Sequence, residues 1–237
     1  MGGPVLEQPS DGYRYCVDPF LLADFFVPRG GPERILDMGC GVGVVGLVIA
    51  RLWRDVSIVG VEIQRRLFEY ARRNAVMSGL TDRVEVLHGD FREISRFIPP
   101  GTVTSVVSNP PFRPIGAGRI SRHREAAVAR HEIYGGVTDV IEGAAAVLGE
   151  GGRIFLVYPA RRWMWLSHRL SDAGFRPTRI RFVHPRPNAA AHLVLAEAAF
   201  RTGGASETLP PLVIYDGNGE YSEEVGKLFA KLTPHCY

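Results

Sequence analysis

Lysine is almost missing from this chain. Of the 28 basic residues among 237, only Lys227 and Lys231 are lysines and the others are arginines. Cysteine is scarce as well: Cys16, Cys40 and Cys236 are far apart and odd in number. That excludes a disulfide framework and gives no metal-ligand spacing, so no metal is expected, and the cytoplasm is the expected compartment. No apolar run approaches the ~18 residues of a membrane-spanning helix. Residues 1–19 carry Pro, Asp and Glu and lack the apolar stretch of a secretory signal, so no membrane partner is expected. Nor is there a strong charge imbalance, since the formal net charge is +3.

What is present is ordinary in amount and uneven in placement. Apolar residues make up 46% and charged residues 22%, which suits one large globular domain or one domain with extensions. Residues 113–130 hold Arg113, Arg119, Arg122, Arg124 and Arg130 against one acid, Glu125. Residues 161–186 hold seven arginines, Arg161, Arg162 and Arg186 among them, against Asp172 alone. Blocks of this kind neutralise phosphates or form a solvated surface.

Short apolar runs alternate with helical patterns. Strands are expected at 34–38, 57–61, 84–88, 103–107, 153–158, 179–183 and 192–197, with helices at about 44–53, 65–78, 139–148 and 163–173. Gly79 and Gly174 close two of the helices. Asp18 before Pro19 reads as the N-cap of a further short helix ending near Pro28. The expectation is an α/β, Rossmann-like, seven-stranded and mostly parallel sheet with helices on both faces and an antiparallel last strand. Residues 201–211 read as a flexible loop. A strand over 212–215, a tight turn at 216–219 and an amphipathic helix over 223–232 follow. In domain terms, residues 1–30 are expected to be an extension packing on the cleft of the main domain, 31–200 that domain and 201–237 a C-terminal extension of it.

The first strand runs into Asp37-x-Gly39-x-Gly41-x-Gly43. Gly41-x-Gly43-x-x-Gly46 alone also fits a nicotinamide dinucleotide. Asp37 at the base of the loop favours a cationic or amine-bearing ligand over a pyrophosphate, which it would repel. Glu62, at the tip of the second strand beside Ile63, can accept both hydroxyls of a ribose. Asp90, at the tip of the third beside Phe91, can accept from an adenine amino group. Three acids on three successive tips make one rim at the carboxyl edge of the sheet, where such folds bind ligands. Tyr13 and Tyr15 either pack the first helix or line that cleft. His88 and His131 are assigned no role.

The fourth strand ends in Ser108-Asn109-Pro110-Pro111-Phe112. Neither proline can continue a ladder, so a rigid turn follows. The Asn109 side-chain oxygen and the Pro110 carbonyl can each accept one hydrogen of a planar NH₂ group, and Phe112 can stack on the ring behind it.

These motifs resemble class I S-adenosylmethionine-dependent methyltransferases that act on amino nitrogens. Gly12-Tyr13-Arg14-Tyr15, Ala129-Arg130-His131-Glu132, Val183-His184-Pro185-Arg186 and 210–216 extend the resemblance to the bacterial tRNA1(Val) adenine-37 N6-methyltransferases. Phe112 stands where tyrosine is common in the wider class. The resemblance implies S-adenosylmethionine as cofactor, held by Tyr15, Asp37, Gly39, Gly41, Gly43, Glu62, Ile63, Asp90, Phe91 and Asn109. It implies methyl transfer at Asn109, Pro110, Pro111 and Phe112 to N6 of an adenine in the anticodon loop of a tRNA. The RNA would be gripped by Arg113, Arg119, Arg122, Arg124, Arg130, Arg161, Arg162 and Arg186. N5-methylation of a protein glutamine, and N6-adenine methylation of another RNA or of DNA, are the alternative chemistries for the same turn.

Overall fold

Along each central strand, alternate residues point to opposite faces, and both sets are apolar. In β1 (Glu33–Met38), Ile35 packs on one face while Leu36 and Met38 pack on the other. In β5 (Leu148–Pro159), Phe155 and Val157 face one way and Ile154, Leu156 and Tyr158 the other. A sheet apolar on both sides needs helices on both sides. The computed structural model, which describes residues 3–11, 16–110 and 136–232, supplies them. α1 (Asp18–Phe25), α2 (Val44–Leu52), α3 (Arg65–Met77) and, at the C-terminal end, α6 (Glu223–Leu232) cover one face. A 3₁₀ segment (Phe91–Arg96), α4 (Val137–Val147) and α5 (Trp163–Asp172) cover the other. Each fully buried branched side chain, such as Leu47 or Ile154, contributes about 1.5–3 kcal/mol.

The other strands are β2 (Val56–Glu62), β3 (Val84–His88), β4 (Val103–Ser108), β6 (Phe175–His184), β7 (Leu193–Phe200), β8 (Glu207–Thr208) and β9 (Leu212–Val213). Their order is β3-β2-β1-β4-β5-β7-β6-β8, with β9 also beside β6. β1 to β5 are parallel. β7, the last of the seven long strands, is antiparallel to both β5 and β6, as its short connection from β6 requires. The strand order reverses between β1 and β4, and a crevice opens at such a switch point.

Several local expectations need correction. Val17, not Asp18, holds the N-cap position of α1, and Asp18 is already helical. Residues 201–211 are not all loop, because Glu207–Thr208 adds β8 to the edge of β6. Gly149–Gly152 does not separate helix from strand; β5 starts at Leu148 and pairs irregularly with β4 there. The 3₁₀ segment after β3 has too short an apolar period to be seen in the sequence.

The two ends of the chain belong to the main core. Leu212, Ile214, Val225, Leu228 and Leu232 share a cluster with Leu21, Leu22 and Phe25 of α1. Residues 3–9 run along α3: the Val5 N–H donates to Ser78 Oγ (3.0 Å) and the Glu7 N–H to Asn74 Oδ1 (2.8 Å).

Toward the amino ends of the parallel strands lies a buried charge network. Arg153 sits between Glu33 of β1 (3.2 Å) and Glu197 of β7 (3.3 Å), and it also donates to the Val27 carbonyl (2.9 Å). Glu197 reaches Arg179 of β6 (3.2 Å), which donates in turn to the Phe25 carbonyl. Glu33 also accepts from the Arg29 N–H, Thr104 Oγ1 and Ser105 Oγ. Five strands and the end of α1 are thereby tied together around two guanidiniums.

Candidate active site

Register brings the predicted rim together. Asp37 lies level with Gly60 of β2 and Val107 of β4, and Glu62 lies level with His88 of β3. The residues just past these points, 39–43, 62–63, 89–91 and 109–110, therefore share one edge. Ser108 ties the two sides of the switch point, its buried hydroxyl donating to the Met38 carbonyl at 2.7 Å.

The glycine loop turns sharply, with left-handed φ at Gly39 (+69°), Gly41 (+58°) and Gly43 (+88°). Gly43 is the N-cap of α2, and a Cβ there would lie 3.3 Å from Leu47 and 3.4 Å from Ala71. Gly46 has a different reason to be glycine. A Cβ would meet Ile58 Cγ2 at 2.7 Å, and its absence lets α2 approach the sheet closely. The Gly46 N–H then donates to Asp37 Oδ2 at 3.0 Å. The acid thus occupies the first-turn N–H group that a pyrophosphate would need. This geometry argues against the dinucleotide reading of the glycine motif.

Asp37 is 2% exposed, and burial pushes its pKa up to about 7, against the Gly46 hydrogen bond, which lowers it. Glu62 is also buried, and burial raises its pKa. Its Oε2 accepts from the Gly41 N–H (2.9 Å) and its Oε1 from the Gln64 N–H (2.8 Å). The Gln64 side chain is a further hydrogen-bond partner of this carboxylate. Among the described residues neither acid has a salt bridge. Asp90 differs. Arg92 holds it bidentately, Nε to Oδ1 (3.0 Å) and Nη2 to Oδ2 (2.5 Å), and its pKa lies below the ordinary value, the Arg92 contacts outweighing partial burial. An adenine amino group at Asp90 would share that carboxylate with Arg92.

Asp37, Gly39, Cys40, Val42 and Asn109 line one small cavity together with Pro19 from α1. The acid after β1 and the amide after β4 therefore meet in a single place, under the start of the first helix. Phe91 is buried behind Gly39, about 3.7 Å from where a Cβ would stand. The Ile63 carbonyl faces His88 Nε2 at 3.0 Å. Arg161 and Arg186 are exposed at the tips of β5 and β6 on the same edge, and Arg162 lies over the Trp165 ring. Tyr15, Pro111, Phe112, Arg113, Arg119, Arg122, Arg124 and Arg130 lie outside the described residues.

Sequence reasoning missed two supports. Asn74, fully buried in α3, donates to the Val42 carbonyl (2.9 Å) and the Glu7 carbonyl (2.9 Å), pinning the glycine loop to the N-terminal segment. An asparagine inside a helix is a poor helix former, and that was its only signal. Arg92 was visible only as a basic residue two positions after Asp90.

The methyltransferase small domain family matches residues 20–165. The chain belongs to this family. It is a methyltransferase, and its cofactor is S-adenosylmethionine. Among curated proteins it is 30% identical over 241 residues to the tRNA1(Val) (adenine(37)-N6)-methyltransferase of Porphyromonas gingivalis, covering 98% of this chain and 91% of that one. It is 27% identical to the protein of the same description from Vibrio parahaemolyticus, covering 98% and 92%. Among solved structures, a "predicted O-methyltransferase" from Agrobacterium tumefaciens superimposes with a TM-score of 0.70 at 23% identity, covering 92% of this chain and 98% of that one. Geranyl diphosphate methyltransferase in complex with S-adenosylmethionine superimposes at 0.56, with 16% identity and coverage of 76% and 83%. These two likenesses share the fold.

The site suits this cofactor. A sulfonium and an ammonium are cations, and the buried, unpaired acid Asp37 stands where one is favoured. No helix among the described residues is long and apolar enough to cross a membrane. No group of metal-ligating side chains is found among the described residues.

Proposed function

We propose that this methyltransferase acts on the exocyclic N6 of an adenine in tRNA, adenosine 37 of a valine tRNA. The observation that carries the reading is the cavity in which Asn109 faces Asp37, in a chain whose full-length relatives are described as tRNA1(Val) adenine-37 enzymes. Asp37, Gly39, Gly41, Gly43, Glu62, Ile63, Asp90 and Phe91 are the residues assigned to the cofactor, together with Tyr15. Glu62 would offer its remaining lone pairs to the ribose.

Bound S-adenosylmethionine supplies an electrophilic methyl group on a sulfonium. The chain's part is orientation. The adenine N6 lone pair is delocalised into the ring and is a weak nucleophile. The Asn109 side-chain oxygen and the Pro110 carbonyl accept the two amino hydrogens and turn the lone pair towards the methyl group, while Phe112 stacks on the base. Fixed dipoles and position then supply most of the rate. The amino proton leaves after transfer, so no strong base is needed. Position 37 lies in a single-stranded loop, where turning a base outward costs less than in a duplex. Arginines 113, 119, 122, 124, 130, 161, 162 and 186 would hold the phosphates.

The test is methyl transfer from labelled S-adenosylmethionine to unmodified bulk tRNA, followed by nucleoside digestion and mass spectrometry. N6-methyladenosine mapped to position 37 of a valine tRNA is the expected result. A cofactor-binding protein that leaves tRNA unlabelled but labels a protein glutamine or another RNA would replace this reading.

A further inference from the structure

α5 exposes the wrong residues for a helix that only needs to pack. Leu166 and Leu170, one turn apart, are fully buried and anchor it to the sheet. Beside them, its first turn leaves Met164 79% exposed and Trp165 36% exposed. Met164 at this exposure gains little from burial, and Trp165 is held at the surface by its ring contacts. The Trp165 ring stacks on Tyr158 (centroids 6.2 Å apart, 22° between planes). The guanidinium of Arg162 lies over the indole at 4.5 Å and over Tyr158 at 5.2 Å, and that of Arg169 lies 6.0 Å from the indole. An aromatic held this firmly is a preformed flat surface.

Its position matters as much as its shape. β5 is the strand next to β4, and Ser108 is level with Leu156. Tyr158, two residues on, therefore lies near the end of the strand that neighbours the one leading into the Asn109–Pro110 turn. The Ala160 N–H donates to the His192 carbonyl at 3.0 Å, which closes the tip of β5 against the loop that carries exposed Arg186. Asp172, at the end of the helix, pairs with His168 (3.8 Å) and Arg169 (3.5 Å), so the charge beside the indole is that of Arg162, over the ring, and of the exposed Arg161. The surface is aromatic, carries an exposed arginine and follows the strand next to the acceptor turn.

We infer that Trp165, with Met164 at its side, is a stacking platform for a second unpaired nucleobase of the RNA, next to the one being methylated. The occupant follows from the chemistry: a planar ring for the indole and a phosphate for the exposed arginine beside it. This rests on the proposed RNA substrate and adds a contact that reads a base, where the arginines read only phosphates.

The experiment titrates the full-length protein, and its W165F, W165A and R161A variants, with an unpaired oligoribonucleotide and with tRNA at several salt concentrations. Tryptophan fluorescence and the affinity are followed together. Trp53 and Trp163 are the other indoles, so W165F isolates the signal of Trp165. Quenching in the wild type that is lost in W165F, with affinity retained because a ring remains, is expected. W165A should lose about 10- to 100-fold in affinity, the size of one base–aromatic stack. Its salt slope should be unchanged, whereas R161A should lower that slope by about 0.7. Cofactor affinity equal to wild type shows that W165A is folded. Unchanged affinity for both RNAs in W165A, or a quench that survives in W165F, overturns the inference. If bulk tRNA is not methylated but the oligonucleotide still quenches Trp165, the substrate assignment falls and the platform stands. If tRNA is methylated with an unaltered KM by W165A, the platform falls and the substrate assignment stands.

Discussion

Buried acids occur at both ends of the same strands, and they are treated in opposite ways. Toward the amino ends, Glu33 and Glu197 face Arg153 and Arg179 at 3.2–3.3 Å. At the carboxyl ends, Asp37 and Glu62 are as deeply buried and are held by N–H groups with no salt bridge among the described residues. The first cluster is neutralised within the protein and organises strands. The second has only N–H partners among the described residues, and burial raises the pKa of both acids. A buried carboxylate without a partner lowers stability, and proteins keep such groups where a ligand supplies the missing charge.

The largest break in this comparison is expected at Arg153. Arg153→Met removes the cation that faces Glu33 and leaves Glu197 with Arg179 alone, and it should cost about 3–5 kcal/mol in urea unfolding. A loss below about 1 kcal/mol would mean that the far cluster organises nothing.

Asn109→Ala should be nearly silent in unfolding and severe in catalysis. Turnover should fall about 10²–10³-fold, as for the loss of one oriented polar contact at a reacting group, with cofactor affinity changed much less. Equal losses in both would remove Asn109 from the methyl-transfer step.

Asp37→Asn sharpens the contrast through pH. The folded pKa of about 7 lies above the ordinary 3.8, so the folded protein binds this proton more tightly than the unfolded chain. The stability it contributes is fully present below about pH 3.8 and is lost as pH rises through about 7. Asparagine keeps an oxygen for the Gly46 N–H and has no charge to bury. The variant should therefore gain on the wild type between these limits, by about 1.4 kcal/mol for each pKa unit of the true shift. Its affinity for S-adenosylmethionine should drop at least about tenfold, from the loss of one close charge. Thermal unfolding across pH and calorimetric titration of the cofactor check both halves. A variant less stable than wild type at pH 8 would refute the assignment of Asp37 as an uncompensated acid.

The smallest effect is expected at Arg92, which gives the one rim acid near solvent a cation. Arg92→Ala should raise the Asp90 pKa towards its ordinary value, because the dominant lowering contacts are removed. Cofactor affinity should tighten by no more than about threefold, the scale of a partly exposed ion pair. Weaker cofactor binding in this variant would show that Arg92 holds Asp90 in place for the ligand.

Much of this was legible in the chain because it is local. Asp37-x-Gly-x-Gly-x-Gly, Glu62 and Asp90 each end an apolar run, and strands of a parallel sheet place their carboxyl ends on one edge. The β3, β1 and α6 boundaries, and the glycine stops at Gly79 and Gly174, are set by near-neighbour sterics and apolar period. What was illegible is what depends on contacts far apart in sequence. Asn74 gains its meaning from Val42 and Glu7, Arg153 from partners at positions 33 and 197, and Trp165 from the tip of β5.

By itself, then, the sequence determined the class of the sheet, the order of its acids and the turn that ends β4, since turns and periodicity need only adjacent residues. The tertiary structure decided which acids are paired with arginine and which are held by N–H groups alone among the described residues. Both kinds look alike in one dimension. Only the packing of strands, which brings Arg153 to Glu33 and Glu197 and brings no arginine among the described residues to Asp37, separates the two kinds.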